Sequence, residues 1–457
     1  MLATLFSKGL PFVTIPIFTR IMSIDDYGIV NTYASWVSIT TVLVSLTMYM
    51  SVRSSFIDRE KEKEEVLCTI TNFNIVFGVI LILLICIFFN DTKVKSLKIL
   101  GVCCLVQSIF SSLLNNYIMF LMMKKDYKKR FFYMVIPELL ATIVSIAFVI
   151  GSLNQEKYYL KIVSSVIVYF IFSVIIWWTV NKNIKKRFVI SHLKYALFIS
   201  LPLVFHGLSL YVLNQSDKVM ITLLRNSEET GIYSLIYSIG MIVTAFTFAL
   251  EGIWIPWYTE KLKNNSILEI NIKVKYYTRM VSLFMGMLVL ISPDLIKLMA
   301  PQEYWSGKIT IPTIVLANYV IFIYTFFVNN EHYHKKTLLI AVNSIVGAII
   351  NIILNVLFIP LFGYLAAACT TLISYIIIMF LHVRVSRQLE PELYPLRIFR
   401  HSFMYVVISC VIYYITLEYV FGRWVASIVY CSCIIWINRV EIYNFIKKML
   451  GNKNVNR

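Results

Sequence analysis

Charged residues are scarce in this chain. Only 14% of its 457 residues are charged, 59% are hydrophobic, and the mean hydropathy is +0.76. A soluble globular protein has about 25% charged residues, and even a fold that buries about three-quarters of its surface needs polar residues to cover the remainder. The shortage therefore excludes a soluble globular protein and indicates that lipid surrounds most of the chain.

Several motifs of soluble chemistry are also missing. There is no GxxxxGK[ST] segment, which excludes an ATPase site in the same chain. The eight cysteines contain no CxxC pair, and close neighbours on a helix face different directions, which argues against a metal site or a disulfide framework. The first apolar run carries Lys8 and has no small-residue cleavage site, so a cleavable signal peptide is not expected. We expect no catalytic residue, metal or cofactor.

Long apolar runs dominate what is present. A membrane-spanning helix needs about 20 consecutive apolar residues, and fourteen stretches approach or meet that requirement. The predicted spans cover residues 2–19, 28–50, 68–89, 99–121, 134–152, 162–181, 196–216, 231–250, 278–293, 309–328, 338–358, 364–383, 401–419 and 424–438. The sequence predicts an all-α, polytopic membrane protein of about 14 transmembrane helices.

Basic residues alternate in density from one connection to the next. The net charge is +18, and thirty of the 42 Lys and Arg fall in seven regions that would share one side of the membrane. Those regions are residues 51–67, 122–133, 182–195, 251–279, 329–337, 384–400 and 439–457. By the positive-inside rule this side is cytoplasmic. The pattern predicts a multi-pass protein of the cytoplasmic (inner) membrane with both termini in the cytoplasm, and it argues against nucleic-acid binding.

The two halves of the chain resemble each other. Gly28 in IDDYGIVNTY aligns with Gly231 in SEETGIYSLIY at an offset of 203 residues, and Tyr127 in KKDYKKRFF aligns with Tyr333 in NEHYHKKTLL at an offset of 206. Similar offsets at distant places indicate duplication of a six-span unit, and an even number of spans makes the repeats parallel. We predict one six-helix bundle over 1–190, a second over 191–385, and two additional helices with a cytoplasmic tail over 386–457.

Ionisable residues at membrane depth are expensive and therefore face a cavity or a partner. Two groups stand out. The basic candidates for binding an anionic substrate are Lys8, Arg20 and Arg53. The candidates for coupling to an ion are Glu138, His206 and Asp217. Prolines and glycines in the first and seventh spans, among them Pro11 and Pro202, predict bends in equivalent helices of both halves.

Several segments together resemble a known family. They are KGLPFVTIPIFTRIMSIDDYGIVNTY, LPLVFHGLSLYVLNQSDKVMI, GIYSLIYSIGMI, PWYTEKL and EHYHKKTLLIAVNSIVGAIINIILNVLFIPLFGYLAAACTTLISY. In this order, up to about residue 385, they are similar to the polysaccharide-transporter, or Wzx-type, oligosaccharide flippases. That family belongs to the MOP superfamily with MATE exporters and lipid II flippases. The chain departs from the family pattern by beginning directly at its first helix.

The resemblance implies a MATE-like fold and a specific task. Such a protein moves an undecaprenyl-pyrophosphate-linked oligosaccharide to the outer leaflet for O-antigen, capsule or exopolysaccharide synthesis. It implies membrane lipids, a polysaccharide polymerase and a chain-length protein as partners, and exchange of a proton or sodium ion. Thr19-Arg20 and the QSDK segment around Asp217 match family positions in helices thought to line the lumen.

Two alternatives remain open from the residues. A multidrug or cation exporter shares the fold. Such an exporter would need an acidic and aromatic cavity to bind cations, whereas this chain is basic. A membrane polysaccharide polymerase or ligase would be an enzyme, and it would need a large outer loop, whereas the longest outer connection here has about 14 residues. We therefore expect a transporter without enzymatic activity.

Overall fold

The computed structural model describes residues 2–88, 95–152, 156–182 and 184–439. The side chains of some helical residues, including Lys8 and His206, lie outside the described part. Within it the chain forms helices joined by short turns, with two 3-10 segments at Gln302–Thr310 and Leu396–Phe399. The α-helices are α1 (Leu2–Ile21), α2 (Ile24–Ser45), α3 (Tyr49–Asp58), α4 (Lys63–Phe88), α5 (Lys95–Met123), α6 (Tyr127–Gly151), α7 (Lys157–Asn181), α8 (Ile190–Leu224), α9 (Ser227–Lys263), α10 (Ile267–Met299), α11 (Ile311–Tyr333), α12 (Thr337–Phe362), α13 (Tyr364–Leu389), α14 (Arg400–Thr416) and α15 (Val420–Ile437).

The helices account for every predicted span. In the described residues eleven helices are long and apolar enough to cross a membrane, or twelve when the bent α8 is counted as one span. The α2–α3 pair shares one span, and α1 and α9 form helices over the two predicted spans that remain. The prediction of an all-α, polytopic membrane protein is confirmed.

The starts of α2 and α9 repeat each other residue by residue. The backbone nitrogen of Asp26 donates to Ser23 Oγ at 3.1 Å, and the backbone nitrogen of Glu229 donates to Asn226 Oδ1 at 2.8 Å. Both are helix N-caps in which a side chain satisfies an otherwise unpaired backbone donor. The two caps are 203 residues apart, which is the offset that Gly28 and Gly231 gave in the sequence.

The second repeat alignment is wrong by about one helical turn. Tyr127 begins α6, whereas Tyr333 ends α11. The equivalent turns place Lys125 at φ 61° and Lys335 at φ 58°, and each turn is closed by a bond from the next backbone nitrogen to the carbonyl five residues earlier. These left-handed helix ends lie 210 residues apart. The two turns therefore correspond at Lys125 and Lys335, and the two tyrosines occupy different positions relative to them.

Two spans are interrupted near their middle. Between α2 and α3, Leu46 and Thr47 have φ values of 46° and 51°, a conformation that costs a non-glycine residue about 1–2 kcal/mol. In α8, the segments Ile190–Ser209 and Tyr211–Leu224 meet at 44°. A bend in α8 was predicted from Pro202 and Gly207, and the structure places it at residue 210, after both of them. The α2–α3 break contains neither proline nor glycine.

The chain divides into two compact units. The first unit comprises residues 1–234 and 344–367, and the second comprises residues 235–343 and 368–457. An apolar cluster that includes Val52, Ile70 and Ile176 forms part of the interior of the first unit. Besides α1–α7, the first unit thus contains α8, the start of α9, most of α12 and the start of α13. The division at residues 190 and 385, which concerns the sequence repeat, stays a prediction.

Candidate functional site

In the first unit, α2 and α3 pack along α8 through a row of neutral polar contacts. We call this row the polar seam; its pairs are Thr32–Thr222, Ser35–Gln215, Thr47–Ser200 and Ser51–Ser200. Ser35 donates to Gln215 Oε1 at 3.0 Å, and the hydroxyls of Ser51 and Ser200 are 2.6 Å apart. Hydroxyl and amide groups across membrane helices are worth about 0.6–2 kcal/mol per contact. The seam therefore joins the helices without burying a charged pair.

The two interruptions lie beside the polar seam. The hydroxyl of Thr47, in the break between α2 and α3, donates to the carbonyl oxygen of Ser200 at 3.2 Å. A Cβ added to Gly207, just before the α8 bend, would lie 3.4 Å from the side-chain methyl of Thr47. Strained backbone of this kind persists only where its surroundings hold it, and it concentrates at moving or functional segments.

Asp217 lies at the centre of a buried polar cluster. Its side chain is 2% exposed, and its two oxygens accept bonds of 2.7 Å from Tyr233 OH and from Asn355 Nδ2. Asn351 extends the cluster, since its Oδ1 accepts from Asn355 at 3.2 Å and from Ser216 at 3.2 Å. The arrangement brings α8, α9 and α12 together around one carboxylate within the first unit.

The predicted basic residues are not gathered in one place. Arg20, near the end of α1, is exposed and donates to the carbonyl oxygen of Pro16 at 2.8 Å. Arg53 is exposed on α3. The 22 residues of α2 separate these two arginines, a rise of about 33 Å at 1.5 Å per residue. Lys8 lies on α1, but its side chain is outside the described residues.

The other predicted coupling residues differ from Asp217. Glu138 is half-buried on α6, one residue after Pro137. His206 lies on α8, and its side chain is outside the described part. Lys161, which the sequence argument treated only as part of a connection, lies on α7 with its ammonium 3.6 Å from the centre of the Phe18 ring. Its position directly before the predicted span of residues 162–181 was the signal that could have identified it.

The second unit contains a buried acid–base pair that the sequence argument missed. Glu331 on α11 and His382 on α13 are 0% and 1% exposed, and Glu331 Oε1 is 2.9 Å from His382 Nδ1. Both residues were assigned to span ends or connections, where ionisable groups are unremarkable. Among the described residues, no three His, Cys, Asp or Glu side chains form a group that could hold a metal ion.

Comparisons with known proteins agree with this architecture. The model of the family described as "Polysaccharide biosynthesis protein" matches residues 1–261. The "Lsg locus putative protein 1" of Haemophilus influenzae is 24% identical over 375 residues, which cover 77% of this chain and 88% of the relative.

Solved structures show the same fold at low sequence identity. The lipid II flippase MurJ in an inward closed conformation matches with a TM-score of 0.70 and 17% identity, over 96% of this chain and 99% of MurJ. An inward-facing multidrug resistance MATE family transporter of the MOP superfamily matches with a TM-score of 0.53 and 13% identity, over 83% and 97% of the two chains. The fold is thus one that flippases and transporters use. Because the family model covers more than half of the sequence, the chain belongs to the polysaccharide biosynthesis protein family.

Proposed function

We propose that this protein is a flippase that moves an undecaprenyl-pyrophosphate-linked oligosaccharide across the cytoplasmic membrane by alternating access. One observation carries the proposal: a member of a polysaccharide biosynthesis family resembles a lipid II flippase over 96% of its length, more closely than it resembles the MATE transporter. That neighbour is a lipid II flippase, and the oligosaccharide substrate is our proposal for this chain.

The polar seam supports a path for a polar head group. A sugar chain cannot enter about 30 Å of hydrocarbon unaided, because each unpaired polar group there costs several kcal/mol. Helices that are joined by hydroxyls and amides, as α2 and α8 are through Ser35 and Gln215, exchange these contacts for water or sugar hydroxyls at little cost. We propose that the seam opens to admit the glycan while the lipid tail stays in the bilayer.

The basic residues would bind the pyrophosphate at different stages. Because about 33 Å of helix separates Arg20 from Arg53, one substrate phosphate cannot contact both at the same time. We propose that Arg53 and Lys8 act on the substrate that enters from the cytoplasmic leaflet or passes through the path. Arg20 lies in the last turn of α1, just beyond the predicted first span of residues 2–19, and would act at exit.

Asp217 has the surroundings that an ion-coupling residue needs. Its carboxylate is buried within a cluster of side-chain oxygens and amides from three helices, so a change in its bound cation or proton would alter how those helices pack. We propose Asp217 as the principal coupling residue of the first unit, with Glu138 and His206 as further candidates. No bond in the substrate changes, so the task requires no nucleophile.

The proposed role implies a location and partners. The protein would lie in the cytoplasmic membrane with both termini inside, and it would deliver its product to a polysaccharide polymerase and a chain-length protein on the outer face. Membrane lipids would surround it, and nucleic acid would have no role.

Gene deletion in the source cell tests the proposal. We expect surface glycan to disappear while its lipid-linked repeat unit accumulates in the cytoplasmic leaflet, and we expect the wild-type gene to restore display. Unchanged surface glycan together with greater sensitivity to cationic drugs would favour the exporter. Lipid-linked repeat units that reach the outer leaflet but remain unpolymerised would favour a polymerase or ligase.

A further inference from the structure

We propose that Glu331 and His382 form a proton-binding site in the second unit, and that the closed pair holds one shared proton. The two residues belong to α11 and α13, and they are 51 positions apart in the sequence. Glu331 Oε1 lies 2.9 Å from His382 Nδ1, and both side chains are almost completely removed from solvent. The proton is the ligand, and the carboxyl and imidazole groups share it.

The charge of the pair fixes the number of protons. With no proton the pair carries one negative charge, with two it carries one positive charge, and only with one proton is it neutral. An uncompensated charge in a buried site is strongly unfavourable, so burial favours the neutral form whether the proton resides on the acid or on the imidazole. The proton is therefore assigned to the pair and not to either residue alone.

A second observation distinguishes this pair from a simple structural contact. Glu331 Oε2 is buried and has no hydrogen-bond partner among the described residues. A carboxylate that must remain ionised is normally solvated or bonded at both oxygens, and an unmet acceptor of this kind costs about a factor of ten in stability. One carboxyl oxygen of Glu331 contacts the imidazole and the other has no partner among the described residues. This arrangement favours binding of a proton.

Other titratable groups surround the pair. His332, the next residue on α11, is exposed and interacts electrostatically with both members. Tyr324 stacks on the His382 ring with centroids 5.6 Å apart, and it interacts with Glu251 of α9. Asn343 Nδ2 lies 3.5 Å from His382 Nδ1. Of these groups, only the imidazole of His382 lies within hydrogen-bond distance of the Glu331 carboxyl group in the described residues.

Release of the proton would be linked to movement. A closed pair that loses its proton leaves a buried negative charge, so the proton leaves readily only when α11 and α13 part and water reaches the carboxylate. Proton binding at the pair requires nothing of the transported substrate. The role of this proton in driving transport rests on the proposed function.

The direct test counts protons. The full-length protein in detergent micelles is denatured with sodium dodecyl sulfate at pH 8, and a pH-indicator dye measures proton release. Free Glu and His have pKa values of about 4.3 and 6.5, so the unfolded pair holds almost no proton at pH 8. We expect the wild type to release one proton per chain more than the Glu331→Gln/His382→Gln variant.

A matched pair in the same unit provides the control. His334 and Glu390 are also within ion-pair distance, 3.4 Å, but their side chains are 25% and 28% exposed. The Glu390→Gln/His334→Gln variant should release as many protons as the wild type. Water reaches this pair and solvates its groups, so burial does not favour an extra bound proton at pH 8. Glu331→Gln alone should lose the extra proton, since a lone buried imidazole stays neutral. This single variant serves if the double variant does not fold.

The pH dependence of unfolding gives an independent measurement. Above about pH 6.5 the folded pair holds a proton that the unfolded chain has lost, so the folding equilibrium of the wild type should weaken up to tenfold per pH unit relative to Glu331→Gln. Equal proton release and parallel pH profiles for wild type and Glu331→Gln would overturn the proposal. Transport assays do not enter either measurement, so its failure is distinguishable from failure of the flippase function.

Discussion

Gly28 and Gly231 face each other where α2 and α9 begin. A Cβ on Gly28 would lie 3.0 Å from the backbone nitrogen of Gly231, and a Cβ on Gly231 would lie 3.4 Å from the backbone nitrogen of Gly28. The added atom on Gly28 would also overlap the carbonyl oxygen of Ser227. Small residues allow helix backbones to approach this closely in a membrane. The same two glycines are aligned by the sequence repeat, so equivalent positions of the two halves meet.

Substitution of either glycine tests this contact. Gly28→Ala should destabilise the protein by about 1–3 kcal/mol, because backbone atoms that cannot rotate away occupy the space of the new methyl group. The measurement is equilibrium unfolding in mixed micelles. Gly101→Ala on α5 is the matched control, since nothing lies within 4 Å of the added atom and alanine favours a helix over glycine by about 0.5–1 kcal/mol. A Gly28→Ala protein as stable as the control would contradict the close crossing.

Asp217→Asn removes the negative charge of the buried cluster and keeps the size of the side chain almost unchanged. The carboxylate accepts from both Tyr233 and Asn355, whereas an amide offers one acceptor and turns its own donors toward one of these groups. We expect a loss of about 1–3 kcal/mol in stability and loss of ion-dependent transport. Tyr233→Phe, which keeps the charge, should be destabilised but should retain its ion dependence. The measurement is transport by vesicles under imposed sodium or pH gradients. Unchanged ion dependence in the Asp217→Asn variant would show that Asp217 is not a coupling residue.

Loss of Asp294 and loss of Arg423 should reduce stability by different amounts. Arg423 is 2% exposed and makes two bonds of 2.9 Å to Asp294, which is 29% exposed. Removing the acid strands a buried cation, so Asp294→Asn should cost about 3 kcal/mol, the low end for a buried pair because the acid is partly hydrated. Arg423→Met should cost less, since the remaining carboxylate can be solvated. Equal losses for the two variants in unfolding experiments would contradict the predicted cost of a buried, unpaired arginine.

The exposed pair of Lys308 and Glu418 is the control for that experiment. The two side chains are 33% and 73% exposed at a distance of 2.8 Å, and the hydrogen bond from Lys308 lowers the pKa of Glu418. Water screens such a pair, so Glu418→Gln should leave the unfolding midpoint at neutral pH almost unchanged.

The basic residues predict a functional phenotype without a folding defect. Lys8→Ala together with Arg53→Ala should abolish surface polysaccharide, because the pyrophosphate would lose cationic partners on its path. Protein abundance in the membrane should stay normal, since Arg53 is exposed. Lys128→Ala, an exposed cation at the start of α6, is the matched control and should keep full display. Full glycan display in the double variant would remove both residues from the proposed path.

Much of the fold follows from the sequence because lipid imposes simple constraints. A span of about 20 apolar residues and a bias of Lys and Arg to one side predict helices that the structure contains throughout its described length. The repeat at Gly28 and Gly231 was also visible, because close backbone contact requires glycine at both positions. The alignment of Tyr127 with Tyr333 was wrong because helix ends are defined by backbone conformation, which lysine adopts at both turns.

The functional sites were less predictable. Leu46 and Thr47 adopt left-handed backbone without glycine, and Thr47 in this break donates to the carbonyl oxygen of Ser200 on α8. Glu331 and His382 each look ordinary in their own segment, and only the packing of α11 against α13 makes them a buried pair. The hydroxyls of the polar seam were hidden for the same reason, since serine and threonine are common in membrane helices. Local composition cannot predict which distant side chains meet.

Reconstitution of the purified protein measures the movement of lipid-linked oligosaccharide between leaflets. Vesicles are loaded with a fluorescent undecaprenyl-pyrophosphate-linked oligosaccharide, and an impermeant reagent or glycosidase reports how much of it reaches the outer leaflet. We expect rapid exposure of the inner-leaflet substrate in vesicles with wild-type protein, and slow exposure both with Lys8→Ala/Arg53→Ala and in protein-free vesicles. Equal exposure in vesicles with and without the wild-type protein, under sodium, proton and voltage gradients alike, would show that the protein is not a flippase for this substrate.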